Sequence, residues 1–425
     1  MDPSPSESRP SRRRFLHQTA GGLMLAATSE ATAWPPHKFP EDDEAYWKLV
    51  RSQFPLTSER TYMNAGGLGP APHPVLQTVH NLIDDLQSTC EHGHAWIEKA
   101  REPAAAFFGV SPTEIAFMRN ATEGNATVAA GLDLQSGDEV IFESHAHPGG
   151  SFGWMNRQKR DDIRVRVFDP QPATASDILQ KIRDLITPRT RIIQVSHVTA
   201  PTGIHMPVEG IARLAHEHNL WFHVDGAQSA GMIPVDLAAI GCDSYATSGH
   251  KWMGGPLGSG ILYVREQRLD EVTPGEIGAY SESSYSLPGD FEYHSSARRF
   301  EPGTRDAASV AGLEASMEFL DTIGMQRIAD YARSLADRVR AGLNAMPDVT
   351  VLTPADPSLS ASITTFRSER MPYDELYGRL VRDYQIRCRI VNEQNLNAIR
   401  VSTHLFNNPT ECDRLLEAIG EILQG

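Results

Sequence analysis

Cysteine is scarce in this sequence, with Cys90, Cys242, Cys388 and Cys412 the only four in 425 residues. No two stand in CxxC spacing, so neither a zinc ribbon nor a thioredoxin-type dithiol is written here, and disulfides are permitted without being required. Positive charge is short as well. Fifty-four Asp and Glu stand against 39 Lys and Arg, a net charge of −15 at pH 7. Beyond the first residues there is no basic block or stripe, which argues against nucleic acid as a partner. No stretch reaches the ~20 apolar residues that span a bilayer, so no stable membrane anchor is expected. A GxxxxGK[ST] order is missing, which excludes a P-loop phosphate site.

What the chain does have is 40% apolar residues and the length to bury a large core with a second, smaller one. The first 33 residues read as an address. Ser11-Arg12-Arg13-Arg14-Phe15-Leu16 is a twin-arginine pattern, Thr19 to Thr28 is a short apolar run, and Ala31-Thr32-Ala33 offers an A-x-A cleavage site. Export to the periplasm is expected, with the mature chain starting near Trp34. The expected organisation is a segment 34–75 that contributes to the active site and the small domain, a large cofactor-binding domain over 76–305, and a small C-terminal domain over 306–425.

Residues 76–107 and 120–132 have helical character. Short apolar, β-branched runs follow at Glu139 to Glu143, Arg164 to Phe168, Arg191 to His197, Leu220 to Asp225 and Gly260 to Val264, interleaved with helical spacing at Ser176 to Ile186 and Val208 to His218. That alternation predicts an α/β fold with a mostly parallel sheet covered on both faces, followed by a smaller α+β unit. Pro274 to Thr304 reads as a long functional loop and 308–345 as one helix. Gln385 to Val391 reads as one strand, with Ile386, Cys388 and Ile390 sharing a core face.

Ligands of such sheets gather at the carboxyl ends of the strands. Lys251 there lies in ATSGHKWMGGPLGSG, among small and apolar neighbours that would desolvate its amine; a lowered pKa is what makes a lysine a nucleophile toward an aldehyde. Alone, a lysine in a Gly-rich loop is more often a solvated turn residue. Asp225 ends the strand WFHVD; taken alone it is more often a turn or cap carboxylate, but a buried aspartate facing a pyridine nitrogen keeps it protonated, which makes pyridoxal phosphate an electron sink. Asn120-Ala121-Thr122-Glu123-Gly124 opens a helix and forms a phosphate cradle or a plain cap.

Together HVDGAQSAG, SGHKWMGGPLGSG, FEPGTRD and IRVSTHLFN resemble the class-V aminotransferase group of fold-type-I pyridoxal-phosphate enzymes over roughly residues 45–425. By motif, the resemblance implies that Lys251 binds the cofactor as a Schiff base and that Asp225 pairs with its ring nitrogen. It implies that Gln228 reaches the ring hydroxyl and that Ala121, Thr122, Ser248 and His250 hold the phosphate. His147, seven residues before Trp154, would stack on the ring and serve in proton transfer. Thr304 would be a phosphate ligand donated by the other subunit of a homodimer. Arg400 would take the substrate α-carboxylate, with Asn64 of YMNAGGLGP nearby.

Two positions depart from the cysteine desulfurases of the group. Ala200 stands where they usually carry Asn, and Cys388 falls in a strand rather than on a mobile loop, so desulfurase activity is disfavoured. GTRD and NAIRVSTHLFN are closer to the isopenicillin-N epimerase-like branch and its exported relatives. The expected substrate is a small amino-acid-like molecule, extending to a modified amino acid or peptide. Two readings of other classes compete: a metal-dependent hydrolase built on His145-Ala146-His147, and a binding protein that keeps the fold without turnover. The second would be signalled by a missing lysine or arginine, and both are present.

Overall fold

Five- to seven-residue runs of Val, Ile and Phe, each closed by a polar turn, can bury both faces of a strand, and they do so here. In the computed structural model, which describes residues 34–171 and 174–424, the short β1 is Thr61–Tyr62. The main sheet consists of β2 (Ile115–Met118), β3 (Glu139–Glu143), β4 (Arg164–Phe168), β5 (Thr190–Ser196), β6 (Trp221–Asp225), β7 (Ser244–Ser248) and β8 (Gly260–Val264). Their order is β2-β8-β7-β6-β5-β3-β4. Strand β8 runs against β7 and β2, and the others share one direction. The loops after β2, β3, β5, β6 and β7 therefore leave the same edge of the sheet. Ile141, Ile193, Phe222 and Val224 pack on one face and Val140, Phe142, Ile192 and Trp221 on the other, each such burial stabilising by about 1.5–3 kcal/mol. The leader expected at 1–33 lies outside the described residues.

Beyond the main sheet, β9 (Glu282–Ser286) and β10 (Asp290–Tyr293) form an antiparallel hairpin. It occupies the middle of the stretch expected to be a loop. The chain continues with β11 (Val349–Val351), β12 (Ile363–Ser368), β13 (Ile386–Arg387), β14 (Arg389–Val391) and β15 (Ala398–Ser402). Four of these make an antiparallel sheet in the order β11-β12-β15-β14, while β13 pairs with β1 in parallel.

Three expected elements are divided. The helix at 76–107 is two, His73–Thr89 and His94–Phe108, parted where Cys90 and Gly93 take left-handed backbone. The helix at 308–345 is also two, Ala307–Ile323 and Met325–Asn344, with Gly324 at φ 94° between them. Apolar spacing persists on both sides of such a break, because each helix buries one side, but a positive φ ends the hydrogen-bond ladder. The strand at 385–391 changes partner after Arg387. Cys388 stays buried, whereas Ile390 is 36% exposed and does not share its face.

Candidate active site

Lys251 follows β7 in a loop pinned on three sides. Gly69 N–H donates to His250 O at 2.8 Å, His404 Nε2 bonds Trp252 O at 2.8 Å, and Ser316 Oγ bonds Met253 O. A side chain at Gly69 would collide with the Lys251 carbonyl, so only glycine allows the segment after β1 to lie on this loop. The pins leave the Lys251 amine in a cavity of about 310 Å³ at the carboxyl edge of the main sheet, shared with Asp225, Thr122 and Arg400. Burial pulls its pKa down to about 8; Arg400 and Arg389 push the same way and Asp225 opposes them.

Most polar groups in the wall provided by the main sheet are hydrogen-bonded. Asp225, 5% exposed, accepts Ala227 N–H at Oδ1 (3.0 Å). Ser248 Oγ accepts the first N–H of the helix Ala121–Gly131 at 2.9 Å. Trp252 Nε1, which can only donate, gives its proton to Gln228 Oε1 at 2.8 Å, so Gln228 Nε2 donates to Gly66 O at 2.9 Å. His223 is a neutral imidazole, burial pulling its pKa to about 3. Trp221 Nε1 donates to Ser244 Oγ, which donates to His223 Nδ1; His223 Nε2 then donates to Asn125 Oδ1 at 2.8 Å. This chain of donors fixes Asn125 in the cavity wall. His147 begins the helix Pro148–Asp161, and its Nδ1 accepts Gly149 N–H at 3.0 Å, which leaves its proton on Nε2.

The opposite wall comes from β14 and β15. Arg400 is 1% exposed and donates to Ala200 O (3.0 Å) and Asn64 Oδ1 (2.9 Å). Burial, with the like charge of Arg389, brings its pKa down to about 9.

A family model described as aminotransferase class-V matches residues 73–415. The chain belongs to the class-V aminotransferase family. It is 29% identical over 393 residues to isopenicillin N epimerase of Amycolatopsis lactamdurans, covering 88% of this chain and 98% of that one. It is also 29% identical over 399 residues to a probable cysteine desulfurase of Methanothermobacter thermautotrophicus, covering 88% and 97%. Among solved structures it superposes on the cystine C–S lyase C-DES, in a variant with glycine covalently linked to the PLP cofactor. That match has a TM-score of 0.80 at 27% identity and covers 87% of this chain and 99% of that one.

The class-V aminotransferases are pyridoxal-phosphate enzymes, and this cavity fits the group. A Cβ on Gly150 would stand 2.7 Å from Asp225 Oδ2 and one on Gly149 would meet the Thr122 hydroxyl, so the wall between the carboxylate and the helix N-terminus is kept clear. His250 Nδ1 is buried there without a partner. Of the residues singled out in the sequence, Ala121, Thr122, His147, Asp225, Gln228, Ser248, His250, Lys251 and Arg400 all line the cavity. Asn64 reaches it only through Arg400. Thr304 is exposed and lies outside the lining.

The histidines of the HxH step diverge: His145 Nδ1 bonds Thr202 Oγ1 at 2.8 Å, away from His147. Among the described residues, no three His, Cys, Asp or Glu come together in a metal-holding group. Sequence reading missed Arg389 and Asn125, which line the cavity, and the fully buried Glu143, whose carboxyl burial raises to about 7. Its Oε1 accepts Ser196 N–H at 3.0 Å. Asn125 follows Ala121 and Thr122 of the recognised turn by four and three residues, which puts it on their helical face and within reach of sequence reasoning.

Proposed function

We propose that this chain is an exported, homodimeric pyridoxal-phosphate enzyme that labilises a bond at the α-carbon of an amino-acid-like substrate. The observation that carries the reading is that Lys251, Asp225, Thr122 and Arg400, from four separate parts of the chain, line one cavity at the carboxyl edge of a parallel sheet. When bound, the cofactor supplies an electron sink for the pair left by the broken bond. Asp225 provides a buried carboxylate for a cationic ring nitrogen. Thr122 and Ser248 present hydroxyls at the positive end of the helix Ala121–Gly131, where a phosphate is favoured. Arg400 meets a carboxylate with a guanidinium already oriented by Ala200 O and Asn64. Lys251 Nζ, neutral above a pKa of about 8, takes and returns the α-proton, and His147 holds a second proton on Nε2.

Transfer of sulfur to an enzyme cysteine is not favoured. Cys388 is 1% exposed and burial pushes its thiol up to about 12, and the exposed Cys90 closes the helix His73–Thr89 outside the cavity lining. Export is supported by Arg12, Arg13 and the Ala31–Ala33 site. Dimerisation is supported by the family and by the exposure of Thr304, a placement that suits a ligand donated to a second copy.

The first test is the visible spectrum of the purified protein. A yellow band that borohydride abolishes, with the label mapped to Lys251 and no band in Lys251→Ala, is the expected result. A colourless protein that takes up no added cofactor overturns the reading. Export and assembly are checked by cell fractionation of the Arg12→Lys, Arg13→Lys double variant and by sedimentation. A variant still found in the periplasm, or a wild-type mass of one chain, would remove that part alone.

A further inference from the structure

β14 and β15 pair so that Arg389 stands directly opposite Arg400. Side chains at directly opposed positions of an antiparallel ladder rise from the same face with Cβ atoms about 4.5–5.5 Å apart, and like charges placed there repel. Water screens this pair poorly, because Arg400 is 1% exposed and the Arg389 side chain 28%. Two guanidiniums so placed cost stability unless anions meet them.

One anion is already present. Glu393, from the short turn Glu393–Asn395, ion-pairs with Arg389 Nη2. Burial works against the Glu393 charge, yet that hydrogen bond and the two nearby arginines keep its carboxyl below the usual range. The pair is single-stranded: Arg389 Nη1, Glu393 Oε2 and Arg400 Nε are all buried without partners. Both arginines line the cavity that holds Lys251. Glu393 thus steadies Arg389 by one nitrogen and leaves the other for a ligand. Arg400, whose terminal nitrogens are oriented by Ala200 and Asn64, makes a separate carboxylate site.

We propose that Arg389 reads the side chain of the substrate and selects molecules carrying a second carboxylate, which takes Arg389 Nη1 while the α-carboxylate takes Arg400. This rests on the function proposed above for the assignment of Arg400. The structure offers two cationic recognition points opposed across one ladder, so an amino acid with one carboxylate leaves Arg389 Nη1 buried and unpaired, the kind of loss that penalises a substrate lacking the matching group.

The test uses two inert five-carbon acids, glutarate and pentanoate, and measures binding by calorimetry to the wild type and to Arg389→Met and Glu393→Gln. Glutarate is expected to bind at least about tenfold more tightly than pentanoate. Arg389→Met should weaken glutarate by about 10- to 100-fold and leave pentanoate within about twofold. Glu393→Gln, which frees Arg389 of its own anion, should tighten glutarate. Equal affinities in the wild type, no measurable glutarate binding, or an equal loss of both acids in Arg389→Met would overturn the proposal. Because the readout is heat, the two readings fail separately. A colourless protein that still prefers glutarate removes the cofactor reading, and a yellow one with no preference removes this one.

Discussion

The two walls of the cavity are built on different electrostatic plans. On the main-sheet side nearly every polar group has its partner before any ligand arrives: Asp225 with Ala227, Ser248 with Ala121, Gln228 with Trp252 and Gly66, and Asn125 at the end of a relay from Trp221. On the β14–β15 side two like charges face one another, and Arg389 Nη1, Glu393 Oε2, Arg400 Nε and Ser402 Oγ are buried without partners. A satisfied wall suits a group that stays for the life of the enzyme, because its geometry is set without rearrangement at each turnover. An unsatisfied one suits a molecule that comes and goes, since each of its unpaired groups is a reason for the right ligand to bind.

The largest effect is expected on the first wall. Asp225→Asn keeps an oxygen for Ala227 N–H, so folding should survive, while the buried negative charge is lost. Exchange of the substrate α-proton with solvent should slow by about 10²–10³-fold in kcat, with Tm changed by only a few degrees. A loss of less than tenfold would mean that the Asp225 charge does not contribute to the chemistry, and the ordered wall would then be a structural feature only.

How far the sequence made each wall legible follows the same division. Lys251, Asp225 and Thr122 sit at strand ends or a helix start, where chemistry depends on a few adjacent residues, and short motifs could place them. The helix Ala121–Gly131 was legible from its cap, Asn120 accepting Glu123 N–H at 3.0 Å. Arg389 was not legible. Period-two reasoning read 385–391 as one strand with Ile386, Cys388 and Ile390 on its core face, but the chain leaves β1 for β15 between Arg387 and Arg389, and only the second partner turns Arg389 toward the site. That exchange depends on contacts more than three hundred residues away in sequence, since Thr61 pairs with Ile386. The role of His404 was hidden for the same reason: its bond to the Trp252 carbonyl joins the lysine loop to the arginine strand, and neither motif implies the other. The breaks at Cys90 and Gly324 were hidden because hydrophobic periodicity reports burial and is blind to one residue with positive φ.

A smaller effect is expected from the second wall, which acts on the first through charge. Burial is the main reason the Lys251 pKa falls to about 8, and Arg400 and Arg389 add to it. A positive neighbour disfavours the protonated amine, so removing one must raise the pKa. Apo-protein takes up pyridoxal phosphate through the neutral amine, and its loading rate should therefore climb as pH rises through about 8. In Arg400→Met the midpoint should move up by no more than about one unit, toward but short of the 10.5 of an unperturbed lysine. Asp225→Asn removes an opposing charge and should move it down. Stopped-flow absorbance over pH 6–10 checks both signs on the same preparations. If the Arg400 variant loads with an unchanged midpoint, the arginines and the lysine are electrostatically independent, and the open wall serves the substrate alone.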